Sequence, residues 1–266
     1  ISVEELNEKD LKILEPEAKS FDGRGLYIPT TSVGNSKQVM KTLRREVKEM
    51  GVSIYFNSKI ADINSIDKQV TLKDESEFNY GHVINSAGLY ADKIAHQFGV
   101  GKKYTLLPFK GIYWKLDPDA GFNLKHLIYP VPDLRVPFLG VHTTTSVDGD
   151  TYLGPTAVPA FGRENYRGIE GINLNDFFSI TSNLSKQFFA NNDGFRRLAW
   201  QEGSRYMKPR FVSAAKKILP RLKMQHLLPS NKVGIRAQIL NMETGRMVND
   251  FLVENGVNST HIINAI

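Results

Sequence analysis

The stretch that most constrains this chain runs from Ile128 to His142, I-Y-P-V-P-D-L-R-V-P-F-L-G-V-H. Three prolines divide it. Proline fixes φ and has no amide proton for a sheet ladder, so the pieces between them are short, extended, and confined to edges or loops. The stretch ends on the apolar run Phe138-Leu-Gly-Val, which delivers one histidine, His142. The surrounding runs have the same character: Y-T-L-L-P-F, G-I-Y-W-K-L, H-L-I-Y-P, F-L-G-V-H-T-T and T-Y-L-G-P. Residues 104–153 therefore read as an antiparallel sheet. About ninety residues beyond His142 lies a second short segment, Gly234-Ile-Arg-Ala-Gln238.

The flanks read differently. Glu4 to Leu14 is expected to form an acidic helix that stops before Pro16, and Gly25 to Pro29 a strand. Asn35-Ser-Lys-Gln38 has the layout of a capping box. Val39, Leu43, Val47 and Met50 then recur at helical spacing, and Gly51 supplies a stop. Val52–Phe56 alternates as a strand. Residues 59–66, 69–73 and 77–80 read as an antiparallel meander. His82–Asn85 reads as a buried strand, followed by the turn Ser86-Ala-Gly88 and a helix through Phe98. Asp176–Phe189 and Ser204–Ile218 are expected helices. Lys232–Leu240 and Arg246–Val253 are expected to pair around Asn241–Gly245. The fold class is thus α/β in the α+β sense, with helix-bearing flanks around a β-rich middle.

Composition removes several chemistries. A chain of 266 residues with 41% apolar content supports one or two buried cores. It has no cysteine, which excludes a disulfide framework, a thiol nucleophile and a Cys-ligated metal or cluster. Its six histidines form no H-x-x-x-H pair, so no metal site is expected. No apolar run approaches 18 residues, so no bilayer-spanning helix is expected. Ile1-Ser-Val-Glu-Glu lacks the layout of a signal peptide, and the chain is expected to begin inside a longer gene product. The net charge of +6 favours anionic partners. The basic residues (Lys41, Arg44, Arg45, Lys48, Arg196, Arg197, Lys216, Lys217) are scattered without a basic-aromatic module, so nucleic acid is not expected among them.

Three places can carry chemistry. In V-I-N-S-A-G-L-Y-A-D, the small residues Ser86, Ala87 and Gly88 let a bulky ligand approach the backbone, and the amides that follow can hold a phosphate. A tight strand-to-helix turn needs small residues regardless of any ligand. His142 carries an imidazole suited to taking a hydroxyl proton near neutral pH. A histidine at a strand end serves equally well as a hydrogen-bonded structural residue. Arg236 can grip a carboxylate with a planar fork, or stand as a surface arginine on an edge strand.

Taken together, these segments resemble the FAD-dependent L-2-hydroxyglutarate oxidase and dehydrogenase family, within the D-amino-acid-oxidase superfamily. L-P-F-K-G-I-Y (Leu107–Tyr113) is similar to the family's P-F-R-G-(acidic)-Y, with Lys110 in place of arginine and Ile112 in place of the acid. Y-L-G-P-T-A-V (Tyr152–Val158) is similar to W-L-G-P-N-A-V, and Tyr166 and Arg167 fit the following E-G-Y-R. Pro29-Thr-Thr-Ser-Val-Gly-Asn35 departs from P-H-T-G-I-V-D at Thr30, Ser32 and Asn35. The family opens with a strand, a G-x-G-x-x-G turn and a helix, and the 266 residues contain no such unit.

The resemblance implies FAD as cofactor and a small dicarboxylate as substrate, L-2-hydroxyglutarate, oxidised to 2-oxoglutarate. It implies a partial Rossmann-like FAD-binding domain formed by residues 1–102 and 216–266, with an antiparallel substrate domain at 103–215. It implies flavin contacts at Ile60, Ser86, Ala87, Gly88 and Gly234. His142 and Arg236 would act on the substrate, and Lys110, Tyr113, Tyr129 and Thr144 would shape the pocket or meet the distal carboxylate. It is compatible with a cytoplasmic protein, with one peripheral to the inner membrane, and with a quinone or other electron-transfer acceptor. Alternatives are a relative acting on glycerol 3-phosphate or an amino acid, and a non-catalytic fragment. The 266-residue chain alone is expected not to retain FAD, because the pyrophosphate needs the glycine-rich turn. Purified alone it should be colourless, and with its upstream region yellow; bound flavin in the short chain would refute this.

Overall fold

The computed structural model describes residues 2–131 and 139–265. The stretch 132–138, and with it the expected extended pieces around Pro132 and Pro137 and the start of the Phe138 run, lies outside the described residues. Six α-helices occur among the described residues: α1 Glu8–Leu14, α2 Ser36–Glu49, α3 Ala91–Gln97, α4 Leu174–Ala190, α5 Phe195–Ser204 and α6 Lys208–Ala215. Strands are short; the hairpins and meander described below pair antiparallel, whereas Val83–Asn85 runs parallel to Ser259–Asn264.

By its contacts the chain divides into two units. One comprises Ile1–Met40, Lys110–Val158 and Gly194–Gly234; the other comprises Lys41–Phe109, Pro159–Asp193 and Ile235–Ile266. These units part the chain at other points than the boundaries near 102 and 215 expected from the sequence.

The first unit is built on a four-stranded antiparallel sheet in the order His142–Thr145, Thr151–Gly154, Trp114–Leu116, Leu227–Leu228. Phe211, Val212, Ala215, Ile218, Leu219 and Leu222 form an apolar stripe, and they pack on Leu116, Val141, Leu153 and Leu227. Phe211, Leu153, Leu219 and Leu222 are fully buried, each worth about 1.5–3 kcal/mol relative to exposure. The helix expected from Ser204 to Ile218 starts later, at Lys208. Pro209 sits in its first turn, the one place where a missing amide proton and a fixed φ cost nothing. The preceding α5 was not foreseen.

The helix expected from Glu4 is halved. Asn7 caps α1 through its side chain, which accepts from the Asp10 amide at 3.0 Å, and such a cap marks where a helix begins. Upstream, Glu4–Asn7 pairs antiparallel with Arg24–Tyr27. The H-L-I-Y-P run is not a strand either. Ile128 donates to the Thr143 hydroxyl at 2.8 Å and accepts from the Thr143 amide at 2.9 Å, so one side chain takes the place of a ladder partner.

In the second unit the meander is present as expected. Ile60–Asn64, Gln69–Leu72 and Glu77–Asn79 pair in sequence order. Val52–Phe56 forms no strand. The expected long hairpin is shorter: Ile239–Asn241 pairs with Arg246–Val248 and, on its other side, with Tyr104–Leu106. Its turn is closed by the Gly245 amide on the Asn241 carbonyl at 2.8 Å. Leu252–Gly256 belongs to a separate hairpin with Ser259–Asn264. The core gathers Ala95, Tyr104, Leu106, Ile239 and Ile263. On α2, the Asn35 side chain accepts from the Gln38 amide at 3.2 Å, one arm of the expected capping box. Among the described residues no helix is long and apolar enough to cross a membrane.

Candidate active site

His142 opens the strand His142–Thr145, directly opposite Gly154. It is buried, at 7% exposure. Its ring stacks on Tyr129 with centroids 4.2 Å apart and planes 20° from parallel. Nδ1 lies 3.0 Å from the Gly140 carbonyl. A carbonyl only accepts, so this nitrogen donates, and in the neutral ring the basic lone pair is on Nε2. Burial holds the His142 pKa below the ordinary histidine value. The Gly140 hydrogen bond works against that shift, and the Lys232 charge works with it.

Tyr113 stands between the strands Phe109–Ile112 and Trp114–Leu116. Burial raises its phenol pKa, with a smaller contribution from Tyr129. Its position is set by a close fit. A Cβ on Gly154 would lie 2.7 Å from the Tyr113 ring and 2.9 Å from the Ile112 carbonyl. Ile112 and Thr156 are joined twice, the Ile112 amide donating to the Thr156 hydroxyl at 3.2 Å and the Thr156 amide to the Ile112 carbonyl at 3.1 Å. Lys232 brings its ammonium over two rings, 4.4 Å from the Tyr152 centroid and 5.2 Å from that of Tyr113.

Of the residues expected around the substrate, the first unit thus gathers His142, Tyr129 and Tyr113 into one group. Thr144 lies two residues along the same strand, opposite Tyr152. Lys110 is half-buried on Phe109–Ile112, and burial lowers its pKa. Lys232 and Tyr152 were not foreseen as members of the group. No local pattern marks Lys232, which reaches the tyrosines through the tertiary fold.

Gly234, exposed, is the last residue of the first unit, with no heavy atom within 4 Å of the place a Cβ would take. Arg236 ends the strand Val233–Arg236 and is counted with the second unit; it is half-buried, and burial lowers its pKa. A desolvated guanidinium gains from an anionic partner.

In the second unit Ser86, Ala87 and Gly88 are all exposed, between the strand Val83–Asn85 and α3. Asn85 shapes the turn, its side chain accepting from the Ala87 amide at 3.2 Å and donating to the Ala91 carbonyl at 2.8 Å. Gly88 has φ +53° and open space at its Cβ position, so its backbone face is unobstructed. A bare, exposed backbone of this kind fits the approach of a large planar or phosphate-bearing cofactor. Ile60, exposed, begins the meander and pairs with Leu72.

Behind that turn lies a charge network which sequence reading missed, although the motif read there ended on Asp92. Arg163 binds Asp92 through both arms, at 2.6 and 2.9 Å, and donates to the Leu89 carbonyl. It also meets Asp176 at 3.3 Å, and Asp176 takes Lys93 at 2.8 Å. Burial works to raise the Asp176 pKa, but Lys93, Asn173 and Arg163 together hold it below the usual carboxylate value. Tyr90, beside the network, donates to Glu164 at 2.8 Å, and burial with that contact pushes its pKa up to about 12. Among the described residues no group of three or more acidic or imidazole side chains is placed to hold a metal ion.

The family described as DAO, FAD dependent oxidoreductase, matches residues 1–263. An L-2-hydroxyglutarate dehydrogenase of Escherichia coli K12 is 29% identical over 267 residues, covering 100% of this chain and 62% of the relative. The mitochondrial L-2-hydroxyglutarate dehydrogenase of Homo sapiens is 32% identical over 273 residues, covering 95% of this chain and 56% of the relative. The chain therefore spans less than two thirds of the length of these relatives. Among solved structures, the L-alpha-glycerophosphate oxidase of Mycoplasma pneumoniae with FAD bound shares the fold, with a TM-score of 0.66 at 18% identity over 98% of this chain and 58% of that one.

Proposed function

The chain belongs to the family of FAD dependent oxidoreductases, and from that premise we propose that it forms part of an enzyme that oxidises L-2-hydroxyglutarate to 2-oxoglutarate. The observation that carries this reading is the state of His142: buried, stacked on Tyr129, and held so that Nε2 is the basic nitrogen. The named relatives support the choice of substrate.

In this reading residues 1–102 and 216–266 serve the cofactor, and 103–215 serve the substrate. Ser86, Ala87, Gly88, Gly234 and Ile60 would line the cofactor. When bound, FAD supplies the two-electron acceptor for the hydrogen on C2. The chain supplies the rest. His142 Nε2 takes the hydroxyl proton as the carbonyl of the product forms. Arg236 holds the C1 carboxylate, with a fork that two parallel hydrogen bonds can satisfy. Tyr113 and Tyr129 wall the histidine, and Lys110 and Thr144 border the pocket.

The test is turnover by the full-length protein on L-2-hydroxyglutarate, glycerol 3-phosphate and a panel of amino acids. L-2-Hydroxyglutarate should give the highest kcat/KM; a preference for glycerol 3-phosphate or an amino acid would overturn the assignment. Arg236→Lys then checks the anchor. Lysine keeps the charge and loses the fork. Loss of one charge-assisted hydrogen bond is worth about 1.5–3 kcal/mol, so kcat/KM should fall roughly 10- to 150-fold with Tm nearly unchanged. A ratio within about twofold of wild type would place Arg236 outside the site.

A further inference from the structure

We propose that Lys232 is a substrate-binding residue that takes the second, distal carboxylate of the substrate and so selects dicarboxylates over monocarboxylates. The proposal deepens the reading above and rests on it.

The geometry is that of a cation held ready. The Lys232 ammonium lies over the faces of Tyr152 and Tyr113, at 4.4 and 5.2 Å. Its backbone is fixed by the amide hydrogen bond to the Ser230 hydroxyl at 3.0 Å. Aromatic faces attract and orient an ammonium but leave its unit charge uncompensated. The nearby carboxylate, Asp150, is engaged elsewhere: it forms an ion pair with Lys115 at 2.8 Å and accepts from the Tyr152 hydroxyl at 3.3 Å. Among the described residues no carboxylate stands within ion-pair distance of Lys232. The side chain remains exposed, so an incoming anion can reach it.

Lys232 also belongs to the histidine's surroundings. It rests on Tyr113, whose pKa responds to Tyr129, and Tyr129 stacks on His142. Its positive charge is felt at the imidazole itself. On this proposal a substrate whose C2 hydroxyl meets His142 extends its tail toward this ammonium. A tail ending in a methyl group gains nothing there. A tail ending in a carboxylate gains a charge-assisted contact in a partly desolvated setting. A structural cation that merely ties two tyrosines together would show no such discrimination.

The experiment uses the full-length holoprotein with Lys232→Met and Lys232→Arg. Methionine keeps much of the stem between the rings without the charge, and arginine restores the charge. The readout is the ratio of kcat/KM for L-2-hydroxyglutarate to that for L-2-hydroxybutyrate, which lacks the distal carboxylate. Lys232→Met should shrink this ratio roughly 10- to 150-fold, chiefly through KM, and Lys232→Arg should restore much of it. Equal losses for both substrates, or an unchanged ratio, would overturn the proposal. Binding of the unreactive pair glutarate and butyrate, read from the flavin absorbance, tests the same point without turnover. Wild type should prefer glutarate and Lys232→Met should not. If wild type oxidises neither hydroxy acid, the substrate reading fails. The glutarate preference and its dependence on Lys232 then decide the present proposal separately.

Discussion

Replacing His142 by asparagine in the full-length holoprotein is expected to slow reduction of the flavin by L-2-hydroxyglutarate about 10²–10⁴-fold, the usual worth of a general base. Asparagine can still donate to the Gly140 carbonyl that the imidazole now meets at 3.0 Å, so the local backbone has no reason to move. What it lacks is a lone pair that titrates. Burial lowers the His142 pKa, Gly140 opposes the shift and Lys232 adds to it. The acid limb of the wild-type profile should therefore fall below pH 6.5, the ordinary histidine value, and it should be absent in the variant.

The same shift has a sign in stability. Above pH 6.5 the imidazole is neutral whether folded or unfolded and contributes nothing. As the pH falls through that value the unfolded chain takes the proton first, and stability drops until the folded pKa is passed. Anaerobic stopped-flow reduction across pH checks the catalytic claim. If His142→Asn reduces its flavin at the wild-type rate with the same pH profile, the base is elsewhere and His142 is a structural residue at a strand end.

Replacing Arg163 by methionine is expected to destabilise the fold by about 3–5 kcal/mol, the typical cost of removing one partner from a buried ion pair. Arg163 and Asp92 are both buried, and the guanidinium meets the carboxylate through two arms. Methionine fills much of the space but leaves Asp92 without its cation. Two amides remain on that carboxylate, from Lys93 at 2.8 Å and Leu106 at 3.0 Å, and neither supplies a full charge. Denaturant unfolding measures the loss. Adding Asp92→Asn should recover part of it, because the stranded charge is then gone. A cost under about 1 kcal/mol for Arg163→Met would show that the network is not a stabilising element. Because Asp176 is held below the usual carboxylate range, its own contribution is present above the unfolded value of 3.8 and lost as pH falls through the lower folded value.

The placement of Arg163 explains why this pair matters to the turn at Ser86–Gly88. Its guanidinium grips Asp92 in the first turn of α3 and the carbonyl of Leu89 just before it. The exposed small residues upstream are thereby tied to a buried anchor. Loss of the network is expected to loosen that turn together with the helix behind it.

What the sequence by itself determined is what a window of a few residues can encode. The Asn35 cap and the spacing from Val39 to Met50 specify α2, because capping and a helical repeat are local properties. The meander from Ile60 to Asn79 and the turn at Ser86–Gly88 are likewise written in alternation, charged turns and small residues. His142 and Arg236 each had an ordinary structural reading, and it was the resemblance of their segments to the family's motifs that singled them out.

Tertiary structure decided the rest. Glu4–Asn7 has helical composition but becomes a strand because Arg24–Tyr27 offers it a ladder. Leu252–Gly256 leaves the hairpin expected of it because Ser259–Asn264, itself paired with Val83–Asn85, is the available neighbour. Arg163 and Asp92 lie 71 residues apart, and Lys232 is farther still from Tyr113. No pattern in either segment names its partner. A side chain advertises its charge locally, but its counterpart is chosen by how strands and helices stack, and that choice depends on burial summed over the whole chain.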